Sequence, residues 1–157
     1  MNALTRSTCH IRRLTVADYA AWLPLWAGYN AFYRENVPDH VTAESWRRFH
    51  DPAVPMHVLG ACTEVGLIGF ATFQFHVSTW SIGPICYLED LFTAESARGL
   101  GAGSALIAGV ADEARKADAS RLYWVTHESN TTAQSLYDRV AQKSGRSEER
   151  RVGKECW

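Results

Sequence analysis

The chain has 157 residues, 46% of them hydrophobic, enough for a single domain with its own buried core. Sixteen basic and seventeen acidic residues give a net charge of −1, so no nucleic-acid-binding surface is expected. Residues 1–10 are polar and hold no apolar leader core, and no run is long enough to span a bilayer, so a cytoplasmic protein with no membrane partner is expected.

In chain order, residues 9–14 alternate enough for a first strand. Thr15 and Asp18 form a T-x-x-D capping pattern that opens a helix, and Trp22, Leu25, Trp26, Tyr29 and Tyr33 follow at helical spacing. Pro24 is expected to kink that helix or end it early. Residues 36–39 read as a loop. Thr42 reads as the cap of a second helix with Trp46 and Phe49 inward, ended by Asp51-Pro52. Residues 56–63 and 67–76 read as strands joined by a turn at 64–66, and 79–84 connect to a further strand at 85–93. Leu106, Ile107, Val110, Ala111 and Ala114 stripe one face of the helix that follows. Residues 122–126 predict a strand and 131–140 a helix. The order βααβββαβα predicts an α/β fold with a mixed central β-sheet flanked by helices, with no repeat or linker.

Cys9, Cys62, Cys86 and Cys156 lack metal-ligand spacing, as do the six scattered histidines. Cys62 and Cys86 lie in apolar runs and are expected to be buried thiols of a reducing compartment. Residues 146–157 hold one aliphatic side chain and no amphipathic period. They resemble the conceptual translation of a DNA-sequencing adapter, and are expected to lie outside a domain of residues 1–145; the alternative is a native charged tail.

The most informative segment is Arg98-Gly99-Leu100-Gly101-Ala102-Gly103-Ser104, between a strand and a helix. Its glycines permit a sharp turn that exposes consecutive N–H groups, and a helix N-terminus and Arg98 add positive charge. This is the chemistry of a pyrophosphate cradle, the alternative being a plain glycine-rich connection with no ligand. No Lys follows Gly103, which excludes a P-loop, and Ser104 stands where a dinucleotide fingerprint needs glycine.

The R-G-x-G-x-G turn resembles the acetyl-CoA loop of the GNAT N-acetyltransferases. The strand Tyr87-Leu88-Glu89-Asp90-Leu91-Phe92-Thr93 resembles the family's fourth strand. Asn130-Thr131-Thr132-Ala133-Gln134-Ser135-Leu136-Tyr137 resembles its N-x-x-A-x-x-L-Y helix. The resemblance covers residues 11–145. Over residues 69–137 it is nearest the spermidine/spermine (diamine) acetyltransferase type, which shares the Tyr-Leu-Glu-Asp strand and a tryptophan placed like Trp80. GNAT domains continue after the Leu-Tyr helix with two further strands. Here these are expected to be missing or replaced by the tail, with a homodimer sharing C-terminal strands to cover the exposed edge.

The resemblance implies acetyl-CoA as cofactor and a small-molecule amine as acceptor. It makes Glu89 the base that deprotonates the acceptor, or a group that only fixes a cationic substrate. It makes Tyr137 the acid for the departing thiolate, or else a core tyrosine. Asn130 is implied to bond the pantetheine arm, or to be a plain helix cap. The backbone of Leu91, Phe92 and Thr93 is implied to pair with that arm, and Arg98, Gly99, Leu100, Gly101, Ala102, Gly103 and Ser104 to hold the pyrophosphate. On the acceptor side stand Tyr29, Tyr33, Glu35 and Asp39, whose alternative is two core rings and two solvated acids. Asp90 joins Glu89 there only if a bulge breaks the strand alternation, since neighbours on a strand face opposite sides. The expected function is acetyl transfer from acetyl-CoA to a primary amine of a polyamine-like or aminoglycoside acceptor, by direct attack in a ternary complex. The alternatives are a protein lysine or N-terminal acetyltransferase and a non-catalytic acyl-CoA-binding protein.

Overall fold

The computed structural model describes residues 9–126 and the strand backbones at 142–143 and 149–152. The described elements are β1 (His10–Arg13), a 3-10 turn, α1 (Tyr19–Phe32), α2 (Asp39–Phe49), β2 (Met56–Thr63), β3 (Gly66–His76), β4 (Ile85–Thr93), a second 3-10 turn, α3 (Ala102–Lys116), β5 (Arg121–Val125), β6 (Gln142–Lys143) and β7 (Glu149–Val152). They form one sheet of order β1-β2-β3-β4-β5-β7-β6. Its pairings are antiparallel except for β4 beside β5. That parallel step follows from the crossover through α3, which carries the chain back to the starting end of β4.

Helices cover both faces. On one, Leu106, Ile107 and Val110 of α3 bury against Leu59, Ala71, Phe73, Cys86, Leu88, Leu122 and Trp124. On the other, Trp22 and Leu25 of α1 and Trp46 of α2 bury against Leu14, Val58 and Phe70. Burying each such aliphatic or aromatic side chain contributes about 1.5–3 kcal/mol. Among the described residues no helix is long and apolar enough to cross a membrane.

Three local expectations are corrected. Pro24 does not end α1, which runs through it. The bond it forgoes is the one to the Ala20 carbonyl, and both residues are exposed, so water can satisfy that oxygen. Thr42 is not a cap, because α2 starts at Asp39 behind Pro38. It is buried inside the helix, and its hydroxyl accepts a hydrogen bond from Trp26 Nε1 at 2.9 Å. Of the two outcomes expected for the last strands, the structure takes replacement: the tail segment Glu149–Val152 pairs antiparallel with β5 and covers its outer edge. The helix expected at residues 131–140 lies outside the described residues. Cys62 and Cys86 are buried free thiols, as expected.

Candidate active site

The site begins with a fault in one strand pairing. Along β3 and β4, Phe73 is opposite Leu88, but the next residue, Thr72, is opposite Asp90. Glu89 is therefore an extra residue, a β-bulge, and the alternation of β4 is reset there. Before it, Leu88 points into the α3-side core. After it, Leu91 packs against that same core and Phe92 against the α1-side core. Glu89 and Asp90 consequently both lie on the α1 side. Gln74 Nε2 donates to Glu89 Oε2 at 3.1 Å. The hydroxyls of Thr72 and Tyr29 donate to the Asp90 carboxylate.

The second feature is a divergence of strands. β4 pairs with β5 only from Ile85 to Tyr87, against Arg121 to Tyr123. Beyond that point a cleft of about 220 Å³ opens. Leu88, Glu89 and Leu91 line one wall, Trp124, Val125 and Thr126 the other, and Tyr29, Tyr33 and Glu35 close it from the α1 side. The edge of β4 facing β5 is free of ladder partners over Leu91, Phe92 and Thr93 among the described residues.

Helix α1 brings its aromatic residues here through its own ending. Glu35 N–H bonds to the Asn30 carbonyl at 2.9 Å and Arg34 N–H to the Ala31 carbonyl at 3.2 Å. This is a Schellman cap, with Arg34 at the left-handed position, φ 55°, where glycine is usual. The reversal turns Glu35 back toward the cleft. Gly28 lets the helix approach β4: a Cβ there would lie 3.0 Å from Phe92 Cζ. The Tyr29 ring then meets Phe92 edge to face at 6.2 Å.

Electrostatics follow from the enclosure. Burial raises the Glu89 carboxyl above its ordinary value, and the neighbouring Asp90 charge adds to the rise. Burial also raises Asp90, while the hydrogen bonds from Thr72 and Tyr29 pull it back. The Tyr29 phenol is raised by burial and by the Asp90 charge, so it stays a donor.

The Gly-rich turn lies between β4 and α3. Gly99 and Gly101 have φ of 85° and 77°. The N–H groups from Gly99 to Ser104 find no backbone acceptor among the described residues, as expected for a helix start. Gly101 caps α3, Gly103 lies in its first turn, and Leu100 and Ser104 are exposed. The Arg98 guanidinium lies over the Phe32 ring, 5.7 Å from its centre. These donors and this charge fit a pyrophosphate, and the unpaired β4 edge fits an amide-bearing arm.

These findings agree with the comparisons. The profile of the Acetyltransferase (GNAT) family matches residues 22–141. The chain belongs to the GNAT acetyltransferase family. It is an acetyl-transferring enzyme whose cofactor is acetyl-CoA. A D-amino-acid N-acetyltransferase (HPA3) of Saccharomyces cerevisiae is 35% identical over 136 residues, 85% of this chain and 84% of the relative. The uncharacterized N-acetyltransferase YhfO of Bacillus subtilis is 33% identical over 129 residues, 82% and 86% of the two chains. The solved structure of AAC(6')-Iy with a bisubstrate analogue has the same fold, with a TM-score of 0.76 at 19% identity over 89% of this chain and 94% of that one.

Of the residues singled out in the sequence, the cleft gathers Tyr29, Tyr33, Glu35, Glu89 and Leu91. Asp90 stands behind its wall. Asp39 is exposed at the start of α2, away from the lining. Asn130 and Tyr137 lie outside the described residues. The sequence reading missed Trp124, Val125 and Thr126, although the carboxyl end of a parallel strand is where α/β sheets bind ligands. It also missed Thr72, whose signal was a lone hydroxyl within the apolar run of β3.

Proposed function

We propose that this enzyme moves the acetyl group of acetyl-CoA to a primary amine of a small, multiply cationic acceptor, polyamine-like or an aminoglycoside, by direct attack in a ternary complex. The observation that carries this reading is the lining of the cleft: the carboxylates of Glu35 and Glu89, the aromatic rings of Tyr29, Tyr33 and Trp124, and no cationic side chain among its described residues. Such a surface attracts ammonium groups by charge and by cation–π contact. The diamine-type resemblance of the β4 sequence supports the polyamine arm.

A cationic amine must lose a proton before it attacks, and a free alkyl amine has a pKa of about 10. Glu89 takes that proton, directly or through one water. Its raised carboxyl is a better base than a free glutamate in water. When bound, acetyl-CoA supplies the activated acetyl group. The turn from Arg98 to Ser104 would hold its pyrophosphate, and the open edge of β4 would offer its N–H and C=O groups to the arm. By resemblance, Asn130 bonds that arm and Tyr137 protonates the departing thiolate. Tyr137→Phe then lowers kcat roughly ten- to a thousand-fold with little change in the KM for acetyl-CoA.

A second reading has an observation of its own: the yeast relative is named for D-amino acids. A free amino acid brings a carboxylate that Glu35 and Glu89 repel. The test is release of free thiol from acetyl-CoA with polyamines, aminoglycosides, D- and L-amino acids and a lysine peptide as acceptors. Higher kcat/KM for the polycations is expected. Preference for D-amino acids overturns the charge argument, and preference for the peptide assigns a protein substrate.

A further inference from the structure

We propose that Asp90 is a positioning residue of this enzyme: anchored by two hydroxyls behind the cleft wall, it pins the bulge that presents Glu89 and keeps a negative charge against that carboxyl. The proposal rests on Glu89 as the proton acceptor. It reassigns Asp90 from acceptor binding to a role exercised through its neighbour.

The argument starts from register. Without the bulge, Asp90 would follow Leu88 into the apolar α3-side core, where an ionised carboxylate is not tolerated. With it, Asp90 sits opposite Thr72 and faces α1. Thr72 is 1% exposed, and its hydroxyl donates to Asp90. A buried hydroxyl without a partner is destabilising, so Thr72 and Asp90 need each other. The Tyr29 hydroxyl is the other donor. Its ring is held edge to face by Phe70 at 6.0 Å and by Phe92, which leaves it little freedom to turn away.

Both donors are uncharged. They hold the Asp90 charge in place without cancelling it, unlike an arginine or lysine partner. The remaining groups that face the pair do not neutralise it either. Gln74 of β3 bonds Glu89, and Glu35 faces the same cleft. Tyr33, just after α1, and Tyr87 of β4 are phenols, and burial and the two acids keep the Tyr87 phenol protonated. From β5, Tyr123 stacks on Tyr87, with His76 on its hydroxyl and Arg121 over its ring. The Asp90 charge therefore acts on Glu89 at short range and raises its hold on a proton.

The test compares Asp90→Asn with the parent enzyme by two readouts. The first is the carboxyl titration of Glu89 in the resting protein, followed by 13C NMR and assigned by its loss in Glu89→Gln. The second is the pH profile of kcat/KM with a polyamine. Asparagine keeps the shape and an acceptor oxygen but removes the charge. The Glu89 titration and the acid limb of the profile are both expected to fall by about one pH unit. A folded Asp90→Asn protein whose Glu89 titrates unchanged overturns the proposal, however little activity remains. If Asp90→Asn does not fold, Thr72→Val decides: it withdraws one donor from Asp90, away from the cleft lining. The first ionisation of the pair is then expected at higher pH, and an unchanged titration overturns the proposal. Full turnover in Glu89→Gln defeats the base assignment alone, because the resting titration still reads the effect of Asp90.

Discussion

Single residues of the site trade stability for chemistry, and Glu89 is the clearest case. Its folded-state carboxyl is raised, so ionising it disfavours the folded state. That penalty is absent below the ordinary carboxylate range, grows as pH rises through it and persists at neutral pH. Glu89→Gln keeps an acceptor for Gln74 and removes the charge. Its melting temperature at pH 7 is expected to be no lower than the parent's, with any gap closing below about pH 4, while kcat/KM falls about 10²–10⁴-fold. Thermal melts across pH beside initial rates check both halves. On the cofactor side, Gly101 is held at φ 77°, and a Cβ there meets nothing within 4 Å. The demand is purely conformational. Gly101→Val is expected to cost about 1–2 kcal/mol and to raise the KM for acetyl-CoA, and Gly101→Asn to do less of both, since asparagine tolerates that region. Denaturation curves and acetyl-CoA saturation kinetics separate the two effects.

At the scale of elements, α1 is defined by its ends. At the start, Asp18 accepts from the Thr15 N–H at 2.7 Å and takes both guanidinium nitrogens of Arg12 at 2.8 Å. These contacts hold its carboxyl well below the ordinary aspartate range, the Arg12 hydrogen bond being the largest cause. A depressed carboxyl stabilises the fold above its unfolded value, and that stability is lost as pH falls through the folded value. Asp18→Asn is therefore expected to cost about 1 kcal/mol at pH 7, mostly through the cap because Arg12 is largely exposed, with the difference shrinking in acid. Urea denaturation at both pH values measures it. At the other end, Arg34 accepts a left-handed conformation that costs about 1 kcal/mol, and the chain reversal delivers Glu35 to the cleft. The T-x-x-D pattern was legible in the sequence. The Schellman cap was not, because no glycine marks it.

At the largest scale the described residues form a sheet between two helical layers, with a cleft where β4 and β5 part. Strand β7 lies along the outer edge of β5, on the same strand whose end lines that cleft. Truncation after residue 145 uncovers the backbone groups of β5. A lower melting temperature and concentration-dependent self-association on gel filtration are expected. Retention of both parental values argues that this pairing contributes nothing. By itself the sequence determined the α/β order, because continuous apolar runs mark the central strands, apolar stripes mark the helices, and turn residues separate them. It also marked the Gly-rich turn before α3, because only glycine reaches those φ values cheaply. Tertiary structure alone decided which carboxylate faces the cleft. Strand alternation sets Glu89 and Asp90 apart, and one unmatched residue against β3 brings them to the same side. It alone decided that α1 runs on through Pro24 and that Thr42 serves Trp26, since solvent exposure and a distant indole set those outcomes. It alone decided the cleft wall from Trp124 to Thr126, because a cleft is made by strands that stop pairing, and where pairing stops is a property of the assembled sheet.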